Sequence, residues 1–285
     1  SLAFIIAIGI LNLLAFKIIL SMITKPLSKA SSKEADPPSR WFFFLGMVLV
    51  FFPVLLYFYS FSIYTTNVPF SDDFTTLNEV MQILQAESLL GKLSLLFTPL
   101  NEHLFVLSRS IFILVYFVFG AIDFKILVLI PNVALLGVLF FAYKTLPENQ
   151  EKIFLLIPVA LLLFQLKQNW VHLIWAMEAL AALYALCFAG LSFYFLGKNS
   201  TKYFWWALFF ALISVFTHGS GVAILVVGGS LLLIQKRFSM ASIWIVGALP
   251  VLVIYFNKLH FVANSPMTVL SLNDLARIGR FFLSF

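Results

Sequence analysis

Charged side chains are scarce in this chain. Only 11% of its 285 residues are Asp, Glu, Lys or Arg, whereas 62% are hydrophobic and 34 are Phe. Ordinary soluble domains are about 25% charged and roughly 45–50% apolar, so a single globular core does not account for this excess. The composition therefore predicts an integral membrane protein with several spans.

Strict alternation of apolar and polar residues is also missing. Because lipid offers the backbone no hydrogen-bond partner, membrane spans are helices or closed barrels. Barrel strands alternate over about ten residues, whereas the apolar runs of this chain are longer and do not alternate. We therefore predict an all-α, polytopic membrane protein of about nine spans. The apolar runs lie at 1–24, 41–64, 104–119, 125–143, 153–167, 171–196, 203–217, 221–234 and 241–256.

Cysteine and the common catalytic signatures are nearly absent. The lone Cys187 excludes a disulfide framework and is predicted to be a small core residue. The sequence has no P-loop, paired-histidine zinc motif or Gly-Xaa-Ser-Xaa-Gly elbow, which argues against those classes of enzyme. The formal charge of +6 does not indicate nucleic-acid binding, since the basic residues lie in short connectors, where they orient spans.

The chain divides into an N-terminal part, 1–40, and a transmembrane domain, 41–285. The first part joins one apolar run to a polar linker with a basic excess, so we expect the linker in the cytoplasm. The span at 41–64 then leaves Asp72 and Asp73 on the non-cytoplasmic side. The chain starts without Met and ends in an apolar run, so we expect it to be part of a longer protein.

The number of crossings between 104 and 170 is ambiguous. Basic connectors at Lys198–Lys202 and Lys236–Arg237 place His172 and His218 on the same outer side as Asp73. Counting forward from 41, with every run crossing, instead places 168–172 in the cytoplasm. The runs 104–119 and 153–167 are short for spans of about 20 residues. Either one of them is re-entrant, or two runs form one bent element.

The first outer loop contains an amphipathic pattern. Leu77, Val80, Met81 and Leu84 recur at helical spacing among polar residues. Such a helix either lies on the membrane surface or packs on its own protein, and the sequence leaves both alternatives open.

Polar residues form a few clusters, of which Asp72 and Asp73 come first. A carboxylate can act as a general base toward a hydroxyl, and adjacent Asp residues can hold a divalent cation. The alternative is helix capping by Ser71 or Asp72. In the next cluster, Asn101-Glu102-His103, Glu102 lies seven residues before Arg109 and shares a helical face with it. That pair is either functional or an internal salt bridge.

Two further clusters contain Lys167 to Glu178 and Thr217 to Gly221. Glu178 lies among apolar and small residues, where a carboxylate is costly and rarely without a role; the alternative is a hydrogen bond between helices. His218 precedes Gly-Ser-Gly, which is equally compatible with a plain turn.

In four motifs, in the same order over about 41–240, the chain resembles bacterial GT-C-type glycosyltransferases, multi-span enzymes that use polyprenyl-phosphate-linked sugars. The motifs are Ser71-Asp72-Asp73-Phe74, Asn101-Glu102-His103 with Arg109, Asn169 to Glu178 around Trp175, and His218-Gly219-Ser220-Gly221. The sequence departs from the family pattern at Leu104, which replaces an Arg, at His172, which replaces an Asn, and at Glu178, which replaces a Gln.

The resemblance implies sugar transfer from a polyprenyl-phosphate donor to an acceptor hydroxyl, with inversion, on the outer face of a bacterial inner membrane. It implies that Asp73 is the general base and that Asp72 orients the acceptor or holds a divalent cation. Arg109 and Lys167 would neutralise the donor phosphate. The remaining groups would line the sugar pocket: Glu102, His103, His172, Glu178 and His218. The acceptor would be a glycan, lipid or protein of the cell envelope.

A non-enzymatic role is the competing hypothesis. A carrier of lipid-linked sugars would place charged residues through the middle of the bilayer, and a structural subunit would have the fold without an open site. The polar residues of this chain lie mainly near the ends of the apolar runs, which favours an enzyme over a carrier.

Overall fold

The computed structural model describes residues 40–100, 103–146, 152–198 and 200–258. In these ranges the regular structure is helical, apart from an isolated bridge between Leu100 and His103, so the all-α prediction is confirmed for them. The predicted run 1–24, most of the linker before α1, Glu102 and the apolar run near 281 lie outside the described residues. The helices are α1 (Arg40–Tyr64), α2 (Asp73–Gln85), α3 (Leu89–Leu96), α4 (Val106–Phe119), α5 (Phe124–Thr145), α6 (Lys152–Leu163), α7 (Leu166–Asn169), a 3-10 turn (Trp170–Leu173), α8 (Ala176–Leu196), α9 (Thr201–Val215), α10 (Gly221–Ile234) and α11 (Phe238–Lys258).

Several helices are long and apolar enough to cross a membrane, which indicates a multi-pass membrane protein. Five stretches meet this criterion among the described residues, and α4, α9 and α10 are shorter apolar helices. The five stretches are Trp41–Tyr64, Phe124–Thr145, Lys152–Leu173, Ala176–Leu196 and Phe238–Asn257. The third of them joins α6, α7 and the 3-10 turn, so the predicted runs 153–167 and 171–196 are divided at 174–175 instead of at 168–170.

The long helices share two common ends. At one end, the start of α1 meets the start of α6, where the rings of Phe42 and Phe154 lie 4.4 Å apart. At the other end, the Thr65 hydroxyl just after α1 donates to the carbonyl of Leu173, at 2.7 Å. The segment Lys152–Leu173 therefore runs parallel to α1.

The end near Thr65 collects most of the polar loops, and we call it the polar end. The Phe124 amide at the start of α5 donates to Asn67 Oδ1 at 2.7 Å. The helices α8 and α10 also begin here, whereas α9 and α11 finish here, as the contacts of Asp73 and Gly219 below establish. The opposite end, where Arg237 Nη1 donates to the carbonyl of Leu196 at 3.0 Å, we call the basic end.

Helix α4 explains the ambiguity in the crossings. The Val106 amide donates to the carbonyl of Phe216, which caps α9 at the polar end. The middle of α4 lies against the start of α5, where the rings of Phe112 and Phe124 are 6.0 Å apart. Gly120 ends α4 in the left-handed conformation, with φ 72°, only four residues before Phe124. Both ends of α4 are therefore near the polar end, and the run 104–119 does not carry the chain to the basic end.

Helix α2 packs on the protein itself. Its buried face contains Asp73, Thr76, Val80 and Ile83, and Met81, which the sequence pattern placed on the apolar face, is 40% exposed. The buried face of α2 is thus rotated relative to the predicted apolar face. The reason is that Asp73 and Thr76 bond to the start of α8, which fixes the rotation of α2 about its own axis.

Candidate functional site

Asp73 is buried at the junction of α2 and α8. Its side chain is fully inaccessible, with 0% exposed. Oδ2 accepts from the Ala176 amide at 3.2 Å and from the Phe70 amide at 3.0 Å, and Oδ1 accepts from the Met177 amide at 2.7 Å. Burial raises the pKa of the Asp73 carboxyl, and these three amides oppose that rise. The negative charge lies at the N-terminus of α8, where the helix dipole favours it.

An acidic side chain does cap a helix here, as the capping alternative proposed. The residue is Asp73, however, where Ser71 or Asp72 was expected, and the capped helix is α8 and not α2. Asp72 holds the N-cap position of α2, yet its side chain makes no capping hydrogen bond. Trp175, at the N-cap position of α8, makes none either. Asp73 supplies the missing acceptor from a segment 103 residues away. Ser71, with φ 50°, forms the turn that brings the Phe70 amide back onto the same carboxylate.

A second carboxylate cluster lies next to this cap and is partly accessible. Asp72 and Glu178 are both half-buried, as is His103. Glu178 is close enough to both that the charge of His103 and the charge of Asp72 act on it. The loop before α2, the segment before α4 and the first turn of α8 thus lie in one region of the polar end.

Two imidazoles extend this cluster. The rings of His103 and His218 are 4.4 Å apart and inclined by 31°. The Ser220 amide donates to His218 Nδ1 at 3.2 Å, so Nδ1 acts as an acceptor and the proton of the neutral ring belongs on Nε2. Burial lowers the pKa of His218, which favours that neutral form. His218 can therefore donate one hydrogen bond from Nε2 to a bound group.

Gly219 brings α11 to the cluster. A Cβ added to Gly219 would lie 2.5 Å from His103 Nδ1 and 2.8 Å from the Tyr255 hydroxyl oxygen. Because real Cβ atoms do not approach other atoms so closely, only glycine permits this approach. Tyr255 was not predicted as a site residue, since a tyrosine near the end of an apolar run has the usual features of an interfacial residue.

Arg109 is fully buried on α4. Its side chain is 0% exposed, and Nε lies 2.8 Å from Glu79 Oε2. Nη1 donates to the carbonyls of Leu96 and Thr98, at 3.1 and 2.7 Å. The sequence analysis expected either a phosphate contact or a pair with Glu102. The observed partner is Glu79 on α2, and Glu102 lies outside the described residues.

Lys167 and His172 lie on the segment between α6 and α8. Lys167 is exposed, whereas His172 is half-buried. The His172 carbonyl accepts from Asn132 Nδ2 at 2.8 Å, and Asn132 Oδ1 accepts from the Tyr57 hydroxyl. Within the described residues, His172 Nδ1 is a buried atom without a hydrogen-bond partner. The main chain at His172 is thus fixed by α1 and α5.

The described residues do not fit the divalent cation that the sequence analysis considered at Asp72 and Asp73. Asp73 is fully buried, and three of the roughly four lone-pair sites of its carboxylate already accept backbone amides, which leaves little capacity for a cation. No group of three or more His, Cys, Asp and Glu side chains in the described ranges is arranged to hold a metal ion. We therefore assign no metal to this pair.

The candidate site is thus a cluster of two carboxyl groups and two imidazoles at the polar end, made by Asp72, His103, Glu178 and His218. Carboxylates and imidazoles can exchange protons with a bound hydroxyl and can donate or accept hydrogen bonds to polar ligands. Comparison with protein-family models, with curated proteins and with solved structures finds no match for this chain.

Proposed function

We propose that this chain is a membrane-embedded glycosyltransferase of the GT-C type. It moves a sugar from a polyprenyl-phosphate donor to an acceptor hydroxyl, with inversion at the anomeric carbon. The observation that carries the proposal is the convergence of Asp72, His103, Glu178 and His218 at one end of the helices. They come from the four segments in which the chain resembles the family, although Glu178 itself departs from the family pattern.

The distribution of charge supports a site on the non-cytoplasmic face. Acidic residues of the described ranges lie at the polar end, and the described charges of the basic end are all cationic. Short basic connectors stay in the cytoplasm, so the polar end faces the exterior of a bacterial inner membrane. The cations at the basic end, among the residues whose side chains the structure describes, are Lys144, Lys152, Lys198, Lys202, Lys236 and Arg237.

The contacts favour Asp72 as the base. The sequence analysis assigned this task to Asp73, but the Asp73 carboxylate is inaccessible and accepts three backbone bonds. Asp72 is half-buried, and its charge acts on Glu178. In the proposed step the acceptor oxygen attacks the anomeric carbon and its proton passes to the Asp72 carboxylate. The bond between that carbon and the phosphate oxygen breaks, and the phosphate leaves with the electron pair.

Different residues would hold the donor. His218 offers Nε2–H to a sugar or phosphate oxygen, and the exposed Lys167 supplies a cation for the phosphate. Arg109 is less suited to this task because Glu79 already neutralises it. His103 and Glu178 would bind sugar hydroxyls.

The positions of the charges argue against a carrier. A carrier binds its substrate near the middle of the bilayer. Within the five candidate spans the charged residues lie toward the helix ends, at Lys125, Lys144, Lys152, Lys167 and Glu178. This arrangement suits a reaction at the membrane surface.

The test is a transfer assay with the purified full chain in nanodiscs. Radiolabelled polyprenyl-phosphate hexoses serve as donors and short alkyl glycosides as acceptors. We expect Asp72→Asn to lower transfer by about 10²–10⁴-fold, the range of a general base. Glu87→Gln, an exposed acid of the same loop, is the matched control and should transfer normally. Donor binding without any transfer by the wild type would support the carrier instead.

A further inference from the structure

Asp73 connects the acidic loop to the helix that bears Glu178. It bonds the amides of Ala176 and Met177, the first two residues of α8, and Glu178 follows directly. On α2, the Thr76 hydroxyl donates to the sulfur of Met177. The first turn of α8 is thus held by two residues of α2. Asp72 is the residue directly before α2. The distance between Asp72 and Glu178 therefore depends on this junction.

Asp73 itself has no access to a ligand. Its side chain is 0% exposed, and each of its oxygens already accepts at least one amide hydrogen. The Asp73 carboxylate can therefore affect the site only through the backbone amides that it binds. A helix N-terminus without a local cap leaves its first amides unsatisfied, and α8 has no cap of its own at Trp175. Without Asp73, the amides of Ala176 and Met177 would need another acceptor. The first residues of α8 would then shift, and Glu178 would shift with them.

We infer that Asp73 is a positioning residue. It fixes the start of α8 and, with it, the position of Glu178 relative to Asp72 and His103. This inference rests on the proposed function for its effect on transfer, whereas its structural part, the clamp on α8, stands by itself.

The decisive variant is Asp73→Asn. With its oxygen in the place of Oδ2, the amide keeps the bonds from Phe70 and Ala176. It then presents an NH₂ group to the Met177 amide, so that bond is lost. We expect faster hydrogen exchange at the amides of 176–178. We also expect kcat/KM to fall by about 10²-fold, the cost of misplacing a group by about 1 Å, with the pH profile of kcat/KM little changed.

The matched control is Asp123→Asn. Asp123 caps α5 by accepting from the amides of Lys125 and Ile126, and it lies at the same end of the helices. This variant should leave hydrogen exchange in α8 and the rate of transfer as in the wild type. Asp73→Glu keeps the charge and should recover part of the activity, which a loss of folding would not allow.

A Glu178→Gln background separates positioning from direct catalysis. If Asp73 acts through Glu178, adding Asp73→Asn to that background should lower kcat/KM by much less than 10²-fold. The same full loss in both backgrounds, or loss of the basic group from the pH profile, would make Asp73 the base and overturn the inference. Unchanged hydrogen exchange at 176–178 in Asp73→Asn would also overturn it. If the wild type transfers no sugar from any donor, the proposed function fails, and the exchange measurement alone still decides whether Asp73 clamps α8.

Discussion

Arg109 and Glu79 form a buried ion pair between α4 and α2, with Nε 2.8 Å from Oε2. The same guanidinium donates to the carbonyls of Leu96 and Thr98, where the outer loop returns to the membrane domain. One side chain thus joins α2, the end of α3 and α4. Since α4 carries His103 just before its start, this junction also determines where His103 lies.

We predict that Arg109→Ala destabilises the protein by about 1–3 kcal/mol, because it leaves the carboxylate of Glu79, whose side chain is only 19% exposed, without its partner. Adding Glu79→Gln should recover a large part of this loss, because the unpaired carboxylate is then removed. Unfolding of the purified protein in SDS–detergent mixtures measures both effects. Lys125→Ala, an exposed cation of the same end, is the control. A stable Arg109→Ala protein that fails to bind a polyprenyl-phosphate donor would show that Arg109 serves the phosphate instead.

The close approach at Gly219 leads to a second prediction. We expect Gly219→Ala to abolish transfer, because the new methyl group would lie 2.5 Å from His103 Nδ1 and 2.8 Å from the Tyr255 hydroxyl oxygen. Gly137→Ala is the matched control, since its Cβ would meet no atom within 4 Å. In the middle of α5 it should stabilise by about 0.5–1 kcal/mol. Equal activity of the two variants would mean that the approach of His103 and Tyr255 has no role.

The sequence predicted the helical class and the places of the helices because long apolar runs are a local property. Contacts between distant segments could not be read in this way. The partner of Arg109 depends on how α2 packs against α4, and the sequence offered Glu102 only because it is seven residues away. The acceptor for the start of α8 comes from Asp73, 103 residues away, and no local pattern indicates it.

The composition of α4 could not predict whether this helix crosses the bilayer. The 14 residues of α4, most of them apolar, form a helix whether they cross the bilayer or stay at one end. The Phe112–Phe124 contact and the bond of Val106 to Phe216 decide between these alternatives. The four polar clusters, in contrast, were predictable because charged groups in an apolar sequence are rare enough to be conspicuous.

The hydrogen bonds of Asn132 give a third prediction. The Tyr57 hydroxyl donates to Asn132 Oδ1, and Asn132 Nδ2 donates to the His172 carbonyl. Tyr57→Phe should cost about 1–3 kcal/mol, because it leaves a buried acceptor unsatisfied. Tyr59→Phe is the control, since Tyr59 is 64% exposed and should be neutral. Thermal unfolding in detergent measures both, and equal melting temperatures would mean that Asn132 finds another donor.

The fourth prediction concerns the stability of the protein in mild acid. Burial lowers the pKa of His218 below its ordinary value of 6.5, so the folded protein favours the neutral ring more than the unfolded chain does. The stability from this difference is complete above pH 6.5 and is lost as the pH falls through the lowered pKa. The groups around His218 include His103, packed against it, with Glu178 and Tyr255 close to His103. Asp73 acts in the opposite sense, since its pKa is raised by burial and protonation in acid relieves the cost of its charge.

We therefore compare the wild type with His218→Gln between about pH 8 and about pH 5, where histidine changes charge. The melting temperature of the wild type should fall more steeply toward acid than that of His218→Gln. Parallel curves would show that His218 gains its proton in the folded protein without cost, and that its ring is not held neutral by its surroundings.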